Sequence, residues 1–366
     1  MTGNAELGTK LGRLRQFCED QGFAGVLLRR RSSFAWLTGG GNSTVERCAE
    51  RGVADLLVTR DRLVAVLSEI ERFRIAEEEL AGMGFEVVPF AWGGWAGQDA
   101  LDALRGGERM AADGSVAGFE DRGPELAALR YTLTPEEVVR ARQAARASAR
   151  SFEEVCRELR PGMTEHEVAA LLGAGCVRAG GDAPVVLVAF DERIAAYRHP
   201  APTARKLGRL ALLVRCSEQH GLITSISRMV SFGAPDDELR RRYAACARVN
   251  AAFIAATRPG AVVSDIFAAG VAAYAEAGFP EEWKRHHQGG ALGYACRDYI
   301  ADHGCREVVQ EQQLFAWNPS LAGTKVEDSI LVSSRGQEIL TEMPGWPALD
   351  VAVGERTVRC ADILVR

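Results

Sequence analysis

The sequence has few of the features that mark membrane proteins and nucleic-acid-binding proteins. It contains no run of about 18 apolar residues, and its first segment, MTGNAELGTK, lacks the apolar core of a signal peptide. The formal net charge is −5, so the chain has no overall positive field that would attract nucleic acid. We therefore expect a cytoplasmic protein with neither a membrane nor a nucleic-acid partner.

Paired cysteines and phosphate-binding motifs are also absent. Nine cysteines are scattered along the chain without a Cys-x-x-Cys pair, which favours small buried residues over a zinc site or a thiol nucleophile. The segment GGGN at residues 39–42 is followed by neither Lys-Ser/Thr nor a complete GxGxxG pattern. It is therefore not a phosphate-binding loop, and we expect no cofactor.

What the chain does contain is the pattern of two α/β domains. Its length of 366 residues exceeds that of one ordinary domain. In the first third, the segment ADLLVTRDRLVAVLSE predicts two strands joined by a turn at residues 59–62, with helical patterns on either side. We predict an N-terminal domain over residues 1–128 and a second domain over residues 129–366.

A two-copy internal repeat marks the second domain. The triplet Arg-Pro-Gly occurs at residues 160–162 and 258–260, which are 98 residues apart, each time between two helical patterns. Two copies predict a pseudo-symmetric domain of two α/β halves with a site between them, because a solenoid needs more repeats. Capping boxes predict where the first two of these helices begin, with Thr134 and Glu137 in one and Thr164 and Glu167 in the other.

An ordered series of motifs resembles the creatinase, prolidase and aminopeptidase P superfamily. LTPEEVVRARQAARAS looks like the helix that opens the catalytic domain of that family, and LRPGMTEHEVAALL is similar to its next helix. LALLVRCSEQHGLITSISRMVSFG resembles the central strand pair, and KVEDSILVSSRG the penultimate strand. The resemblance implies a mixed α/β (α+β) chain, in which a creatinase-like N-terminal domain precedes a pita-bread domain. It also implies a homodimer, with Arg29–Arg31 and Asn42 near the site of the partner.

The metallopeptidases of this superfamily hold two metal ions with two aspartates, one histidine and two glutamates. Carried over position by position, these ligands fall on Arg215, Ser225, Gly290, Asn318 and Glu327, so only the last keeps its identity. One carboxylate cannot hold two hard divalent ions, which need several oxygen or imidazole ligands. Arg215 also puts a cation where an ion would sit, so we predict no catalytic metal.

The resemblance then implies metal-independent chemistry of the kind that creatinase carries out at a C–N bond. His199 matches the histidine that the family carries before its central strands, and histidine transfers protons readily near neutral pH. His286 and His287, in HHQGGALGY, are predicted to assist, and Glu327 to hold a cationic group or orient the histidine. The predicted substrate contacts are Arg215, Ser225, Asn318, Trp317, Tyr197 and Lys325.

The activity we expect is hydrolysis or elimination at a C–N bond of a small amide, amidino or amino-acid-like substrate. One alternative is a non-catalytic binding protein that keeps the fold and uses the cleft for a peptide or metabolite. Arg215 could also pair with Glu327 and fill the former metal position, which would leave an inactive site. A second alternative is an Xaa-Pro-peptidase-like metallohydrolase with rearranged ligands. That set would be His286, His287, Glu327 and Asp298.

Overall fold

The computed structural model describes residues 3–366, with side chains from Ala5 onward. Two compact units succeed each other along the chain, and the division falls between Glu137 and Val138. The boundary expected from the sequence, after residue 128, coincides with the end of a short helix, Gly123–Ala128. In the part of the chain described here, every helix is too short or too polar to cross a membrane.

The N-terminal unit is built around a mixed six-stranded sheet. Its elements are α1 (Gly3–Gln21), β1 (Gly25–Arg30), α2 (Arg31–Leu37), β2 (Arg51–Thr59), β3 (Leu63–Ser68), α3 (Arg72–Arg74, continued by a π-helical turn, Ile75–Glu79), β4 (Glu86–Phe90), α4 (Ala96–Arg105), β5 (Met110–Ala112), β6 (Glu120–Asp121) and α5 (Gly123–Ala128). The strand order is β4-β3-β2-β1-β5-β6. β2 and β3 form the predicted antiparallel hairpin, closed by a hydrogen bond from Thr59 N to Arg62 O at 3.0 Å.

The C-terminal unit contains two larger sheets and four long or medium helices. Its elements are α6 (Pro135–Glu158, whose first three residues belong to the N-terminal unit), α7 (Glu165–Arg178), β7 (Asp182–Phe190), α8 (Glu192–Ala196), β8 (Leu210–Gln219), β9 (Leu222–Ser231), α9 (Asp237–Ala256), α10 (Val263–Glu276), a 3₁₀ turn (Glu282–Arg285), β10 (Gly289–Leu292), β11 (Tyr299–Ile300), β12 (Gln313–Trp317), β13 (Ser320–Leu321), β14 (Thr324–Lys325), β15 (Asp328–Ser333), β16 (Gly336–Ile339), β17 (Ala348–Val353), β18 (Arg356–Ala361) and β19 (Leu364–Val365).

The internal repeat appears as two helix pairs, α6–α7 and α9–α10. Gly162 and Gly260 lie in the turns between the paired helices with φ of 92° and 85°, a conformation that favours glycine. Each glycine N–H donates to a carbonyl beyond its helix pair, Leu207 O at 2.8 Å and Val309 O at 2.9 Å respectively. The two turns are therefore held in the same way, as the repeat predicts.

Both predicted capping boxes are present. Thr164 accepts a hydrogen bond from the backbone N–H of Glu167, whose carboxylate in turn accepts from Thr164 N. Thr134 and Glu137 make the same reciprocal pair, at 2.7 and 3.3 Å. These bonds satisfy backbone N–H groups that have no partner within the first turn of a helix.

Two sheets of the C-terminal unit meet at a single bridge. The strand order is β19-β9-β8-β7 in the four-stranded sheet and β11-β10-β12-β15-β16 in the five-stranded sheet. Ser227 of β9 pairs with Glu327, the residue before β15, and Ser227 N donates to Glu327 O at 3.1 Å. This bridge brings a polar stretch of the first sheet beside a polar stretch of the second.

The helix pairs supply the apolar core of the C-terminal unit. α6 and α7 pack on the four-stranded sheet through a buried cluster that includes Phe152, Val168, Leu213 and Ile226. α9 and α10 pack on the five-stranded sheet through Phe253, Phe267, Phe315 and Trp317. Because successive strand residues point to opposite faces, the residues between these core positions face the other side, where the polar groups collect.

Candidate active site

The carboxylate of Glu327 lies at the centre of a buried ion cluster. Its Oε2 accepts a hydrogen bond from Ser227 Oγ at 2.6 Å, and its Oε1 accepts from Arg297 Nη2 at 3.0 Å. Lys325 Nζ lies 3.5 Å from Oε2. Glu327 and Lys325 are only 2% and 3% exposed, so one carboxylate and two cations share a water-poor environment.

The two cations keep Glu327 ionised. Burial acts to raise the pKa of this carboxyl, but Lys325, Arg297 and the Ser227 hydroxyl outweigh burial and hold the pKa below its ordinary value. A charged Glu327 leaves the cluster one positive charge in excess. The cluster is therefore suited to an anionic group, or to a group on which negative charge develops.

Three histidines form a second cluster beside the first. Nε2 of His286 and Nε2 of His199 are 3.0 Å apart, and their rings meet edge to face with centroids 4.8 Å apart. The ring of His287 stacks on that of His286 at a centroid distance of 4.6 Å. His286 is 8% exposed, whereas His199 is exposed and gives this pair contact with solvent. The three predicted histidines are thus brought together.

Buried bonds fix the two segments that carry these histidines. Arg198, next to His199, forms an ion pair with Glu282 in the 3₁₀ turn that precedes His286. The side-chain amide of Gln288 donates to His286 O at 2.5 Å, while its oxygen accepts from Tyr274 Oη at 2.8 Å. The cluster is therefore held by the surrounding chain before any ligand arrives.

The histidines are held in the neutral state. Burial, followed by the charge of Lys325, lowers the pKa of His286 to about 2 and lowers that of His199. Burial, followed by Arg297 and Lys325, lowers the pKa of His287 to about 4. Near pH 7 these imidazoles are therefore proton acceptors. Lys325 and Arg297 act on the histidines as well as on Glu327, so the two clusters lie within electrostatic range of each other.

Ser225, Cys216 and Asn318 complete the polar surroundings. Ser225 Oγ lies 3.2 Å from Cys216 Sγ and accepts a hydrogen bond from Arg297 Nη1 at 3.4 Å. Asn318 follows β12, and because Trp317 pairs with Asp328, the strand register sets Asn318 opposite Glu327. Asn318 is 3% exposed, and its Oδ1 has no hydrogen-bond partner within residues 3–366. A buried acceptor of this kind is costly unless a ligand donates to it.

Arg215 does not lie in the site, contrary to the expectation from the sequence. Its guanidinium donates to Ser148 O at 2.7 Å and Leu172 O at 3.0 Å, and it lies over the ring of Phe152. Arg215 therefore holds α6 and α7 against the sheet, and its partners are these helices rather than Glu327. Its neighbour Cys216, which pairs with Ser225 across the strands, takes the inward position.

Both predicted aromatic contacts are also placed elsewhere. Trp317 is fully buried in the helix-packed core, stacks on Phe253 at 4.5 Å and donates from Nε1 to Thr257 Oγ1 at 2.9 Å. Tyr197 is 53% exposed and lies beneath the guanidinium of Arg193. A tryptophan buried in this way cannot line a substrate pocket, and neither aromatic contacts the ion cluster.

Arg297 is the main site residue that sequence reasoning missed. It lies in the irregular segment between β10 and β11, where no periodic pattern indicates which way a side chain points. Its guanidinium bonds to Glu327, to Ser225 and, from Nη1, to Cys296 O at 2.5 Å. The one indication in the sequence is that Arg297 comes eleven positions after His286, the first histidine of HHQGGALGY.

The residues present do not fit a pair of metal ions. The expected metal carboxylates and histidine are replaced, and the one remaining carboxylate already bonds to Ser227 and Arg297. At Gly290, φ is 152°, and a Cβ atom would lie 2.2 Å from Tyr299 O, so no histidine fits at this position. Two divalent ions would also have to approach the side-chain cations of Lys325 and Arg297.

The fold and the position of this site define a pita-bread protein, and the chain belongs to metallopeptidase family M24. The model of that family matches residues 140–334. An uncharacterized peptidase of Staphylococcus epidermidis is 25% identical over 247 residues, which cover 62% of this chain and 67% of the relative.

Solved structures agree on the fold over the whole length. Dipeptidase PepE from Mycobacterium ulcerans matches with a TM-score of 0.79 and 20% identity, covering 99% of this chain and 98% of that one. An Xaa-Pro dipeptidase from Bacillus anthracis matches with a TM-score of 0.77 and 18% identity, covering 98% of this chain and 100% of that one. The predicted superfamily and fold class are confirmed.

Proposed function

We propose that this protein is a metal-independent hydrolase that cleaves a C–N bond of a small amide, amidino or amino-acid-like substrate. The observation that carries the proposal is the juxtaposition of neutral, hydrogen-bonded His199 and His286 with the cations of Lys325 and Arg297 at Glu327. Its M24 relatives include proteins named peptidases, whose substrates contain an amide C–N bond. The name peptidase supports cleavage of a C–N bond and does not specify the substrate.

Lys325 and Arg297 would supply the electrostatic part of catalysis. Hydrolysis of an amide or amidino group moves electron density onto an oxygen or nitrogen of the substrate, and fixed donors in a dry site stabilise that charge strongly. Glu327 is the ion-pair partner of Lys325 among the described residues, at the long distance of 3.5 Å. The ammonium can therefore turn further N–H donors towards a substrate atom.

His199 and His286 would move the proton. As the oxygen of a water molecule bonds to the substrate carbon, the neutral imidazole accepts the proton that water loses. The C–N bond then breaks, and the imidazolium returns this proton to the departing nitrogen. Overall one water molecule is added across the bond and the histidines end unchanged. The contact of 3.0 Å between the two Nε2 atoms holds the ring of His199 in place for this transfer.

Asn318 and Ser225 would orient the substrate. The unpartnered Oδ1 of Asn318 is a hydrogen-bond acceptor, so we expect an N–H of the substrate to donate to it. Ser225 Oγ contacts Arg297 and Cys216 and borders the same polar region. Removal of an N–H from the substrate should weaken binding more in the wild type than in Asn318→Leu.

The test is a substrate screen with chelator-treated, tag-free protein. Small amides, amidino compounds, acylated amino acids and dipeptides are incubated with the wild type and with His199→Gln, and their loss is followed by mass spectrometry. We expect at least one compound to disappear with the wild type alone. His166→Gln is the matched control, because His166 is exposed and lies outside the histidine cluster.

Two results would count against the proposal. If no compound is consumed in a manner that depends on His199, the protein is a binding protein. If consumption requires added Mn²⁺, Co²⁺ or Zn²⁺, it is a metallohydrolase. Reaction in ¹⁸O-labelled water separates hydrolysis, which puts the label into a product, from elimination, which does not.

We also propose a homodimer, which rests on the superfamily resemblance. Light scattering of the purified chain measures its mass directly. A mass of about 79 kDa, twice the chain mass of 39.6 kDa, is expected.

A further inference from the structure

His199, His286 and His287 have a geometry that the proposed reaction does not require. Each offers one nitrogen, and the three nitrogens all lie within 4.8 Å of one another. Two imidazole nitrogens bound at about 2.0–2.1 Å to one tetrahedral ion are about 3.3 Å apart. The Nε2 atoms of His199 and His286, at 3.0 Å, are already close to that separation.

Unsatisfied nitrogens also point to a ligand at this cluster. Nδ1 of His286 and Nδ1 of His287 are buried and have no hydrogen-bond partner within residues 3–366. A neutral imidazole has one nitrogen that accepts and one that donates, so each orphaned nitrogen is a lone pair or an N–H without a counterpart. An ion bound through Nε2 of His199, Nε2 of His286 and Nδ1 of His287 would give the His287 nitrogen its missing partner, while Nδ1 of His286 would keep its present state.

The chemistry of the donors selects the kind of ion. Imidazole nitrogens suit Zn²⁺, Co²⁺, Ni²⁺ and Cu²⁺, whereas Mg²⁺ and Ca²⁺ prefer oxygen ligands. All three ligand atoms that the histidines offer are nitrogens. Three protein nitrogens leave the fourth position of a tetrahedral ion open to water or to a small anion.

We propose that His199, His286 and His287 form a binding site for one transition-metal ion, with a set of ligands that does not include the carboxylate of Glu327. The Arg198–Glu282 ion pair joins the segment of His199 to that of His286 and His287, so two of the ligands are preorganised.

A consequence for activity follows if the proposed function is correct. A metal ion bound by these lone pairs prevents the same nitrogens from accepting a proton from water. Occupancy of the site by Zn²⁺ is therefore expected to inhibit the hydrolase. The binding measurement needs no substrate, so a failure of the metal site and a failure of the proposed hydrolase are told apart.

The test is a Co²⁺ titration of tag-free, chelator-treated protein at pH 7, followed by visible absorbance and confirmed with Zn²⁺ by calorimetry. We expect one equivalent to bind, with the d–d bands of a nitrogen- and water-ligated ion. His286→Gln, His287→Gln and His199→Gln should each weaken binding at least about tenfold, as loss of a ligand or even of its support does. His303→Gln, outside the cluster, should bind as the wild type does.

Several outcomes would overturn the site. The first two are the absence of saturable binding and binding by all three histidine variants that is as tight as that of the wild type. The other two are loss of binding in Glu327→Gln with the histidine variants unaffected, and a thiolate-to-cobalt band in the near ultraviolet. A second measurement covers the possibility that a variant does not fold. Zn²⁺ should protect His199 of the wild-type protein from diethyl pyrocarbonate while leaving exposed His166 reactive, and equal modification of both contradicts the proposal.

Discussion

Glu327 and Asp328 are neighbours in sequence, yet their carboxylates have opposite surroundings. Asp328 accepts from Arg228 Nη2 and Thr341 Oγ1, both at 2.6 Å, and it is 4% exposed beside an arginine that is 1% exposed. Glu327 faces two cations, and the histidine cluster and the unpartnered Oδ1 of Asn318 lie on its side of the sheet. Adjacent strand residues point to opposite faces, which is why the two environments are separated.

The difference distinguishes a structural ion pair from a functional one. Arg228 and Asp328 form a closed set of buried partners, so any change there leaves a charge uncompensated. The Glu327 face carries more donors and acceptors than it uses internally, and a ligand can complete them. Arg215 and Arg297 repeat the contrast, because Arg215 bonds to helix carbonyls and Ser148 while Arg297 reaches the carboxylate.

The largest expected effect is a fall in the turnover rate when His286, which contacts His199, is replaced. His286→Gln removes a proton-accepting nitrogen 3.0 Å from His199, and loss of general acid–base catalysis costs about 10²- to 10⁴-fold in rate. Turnover of the substrate found by screening should fall by that factor. Thermal unfolding should change little, and full activity in this variant would remove His286 from the mechanism.

Asp328→Asn should destabilise the fold more than Glu327→Gln does. Removing the charge of Asp328 leaves Arg228 buried without its counter-ion, and broken buried pairs cost about 3–5 kcal/mol. At Glu327 a solution anion can replace the lost charge between Lys325 and Arg297. Urea unfolding of both variants, with and without added phosphate, measures this difference. A larger loss in Glu327→Gln would reverse the assignment of the structural pair.

Arg215→Met tests whether this arginine is structural. The variant keeps an apolar side chain in the space over Phe152 but loses the hydrogen bonds from the guanidinium to the carbonyls of Ser148 and Leu172. A hydrogen bond to a charged group contributes about 1.5–3 kcal/mol, so the free energy of unfolding should fall by about 2 kcal/mol. KM should remain unchanged. A raised KM at unchanged stability would return Arg215 to the substrate site.

The smallest expected effect is a decrease in the free energy of unfolding at mildly acidic pH, caused by His286 and His287. The ordinary pKa of histidine is 6.5, and in the folded protein that of His286 is about 2 and that of His287 about 4. Ordinary carboxyl groups have pKa values below about 5 and stay ionised between pH 6.5 and pH 5. Over this interval, as the pH falls, His286 and His287 bind protons in the unfolded chain but not in the folded chain. The free energy of unfolding therefore decreases with falling pH.

The double variant His286→Gln/His287→Gln isolates this contribution. It should lose stability less steeply over the same interval, because two of the groups that bind protons only on unfolding are gone. Urea unfolding at four or five pH values gives both slopes. Identical slopes would mean that the two imidazoles already bind protons in the folded state.

The sequence predicted the parts of the fold that local chemistry determines. The capping boxes at Thr134 and Thr164 specify helix starts through bonds between residues three positions apart. The Arg-Pro-Gly turns predicted the paired helices because Gly162 and Gly260 must adopt positive φ. Such signals lie within a few residues of the structure that they determine.

The site was predicted less completely because it depends on strand register. A shift of one residue along a strand exchanges its two faces, and this is the error that placed Arg215 in the site where Cys216 lies. Trp317 and Asn318 are likewise adjacent, and only one of them faces inward. Arg297 follows an irregular turn, so no period predicts its direction. His199, His286 and His287 could be named as candidates, whereas their mutual distances depend on the tertiary fold.

In the proposed mechanism, side-chain cations and neutral histidines on the Glu327 face replace a pair of metal ions. Its most direct test is the turnover of the screened substrate by protein stripped of metal with a strong chelator and assayed in metal-free buffer. Wild-type activity should survive this treatment and should be lost in His199→Gln. Activity that disappears on chelation and returns with a divalent ion would contradict it.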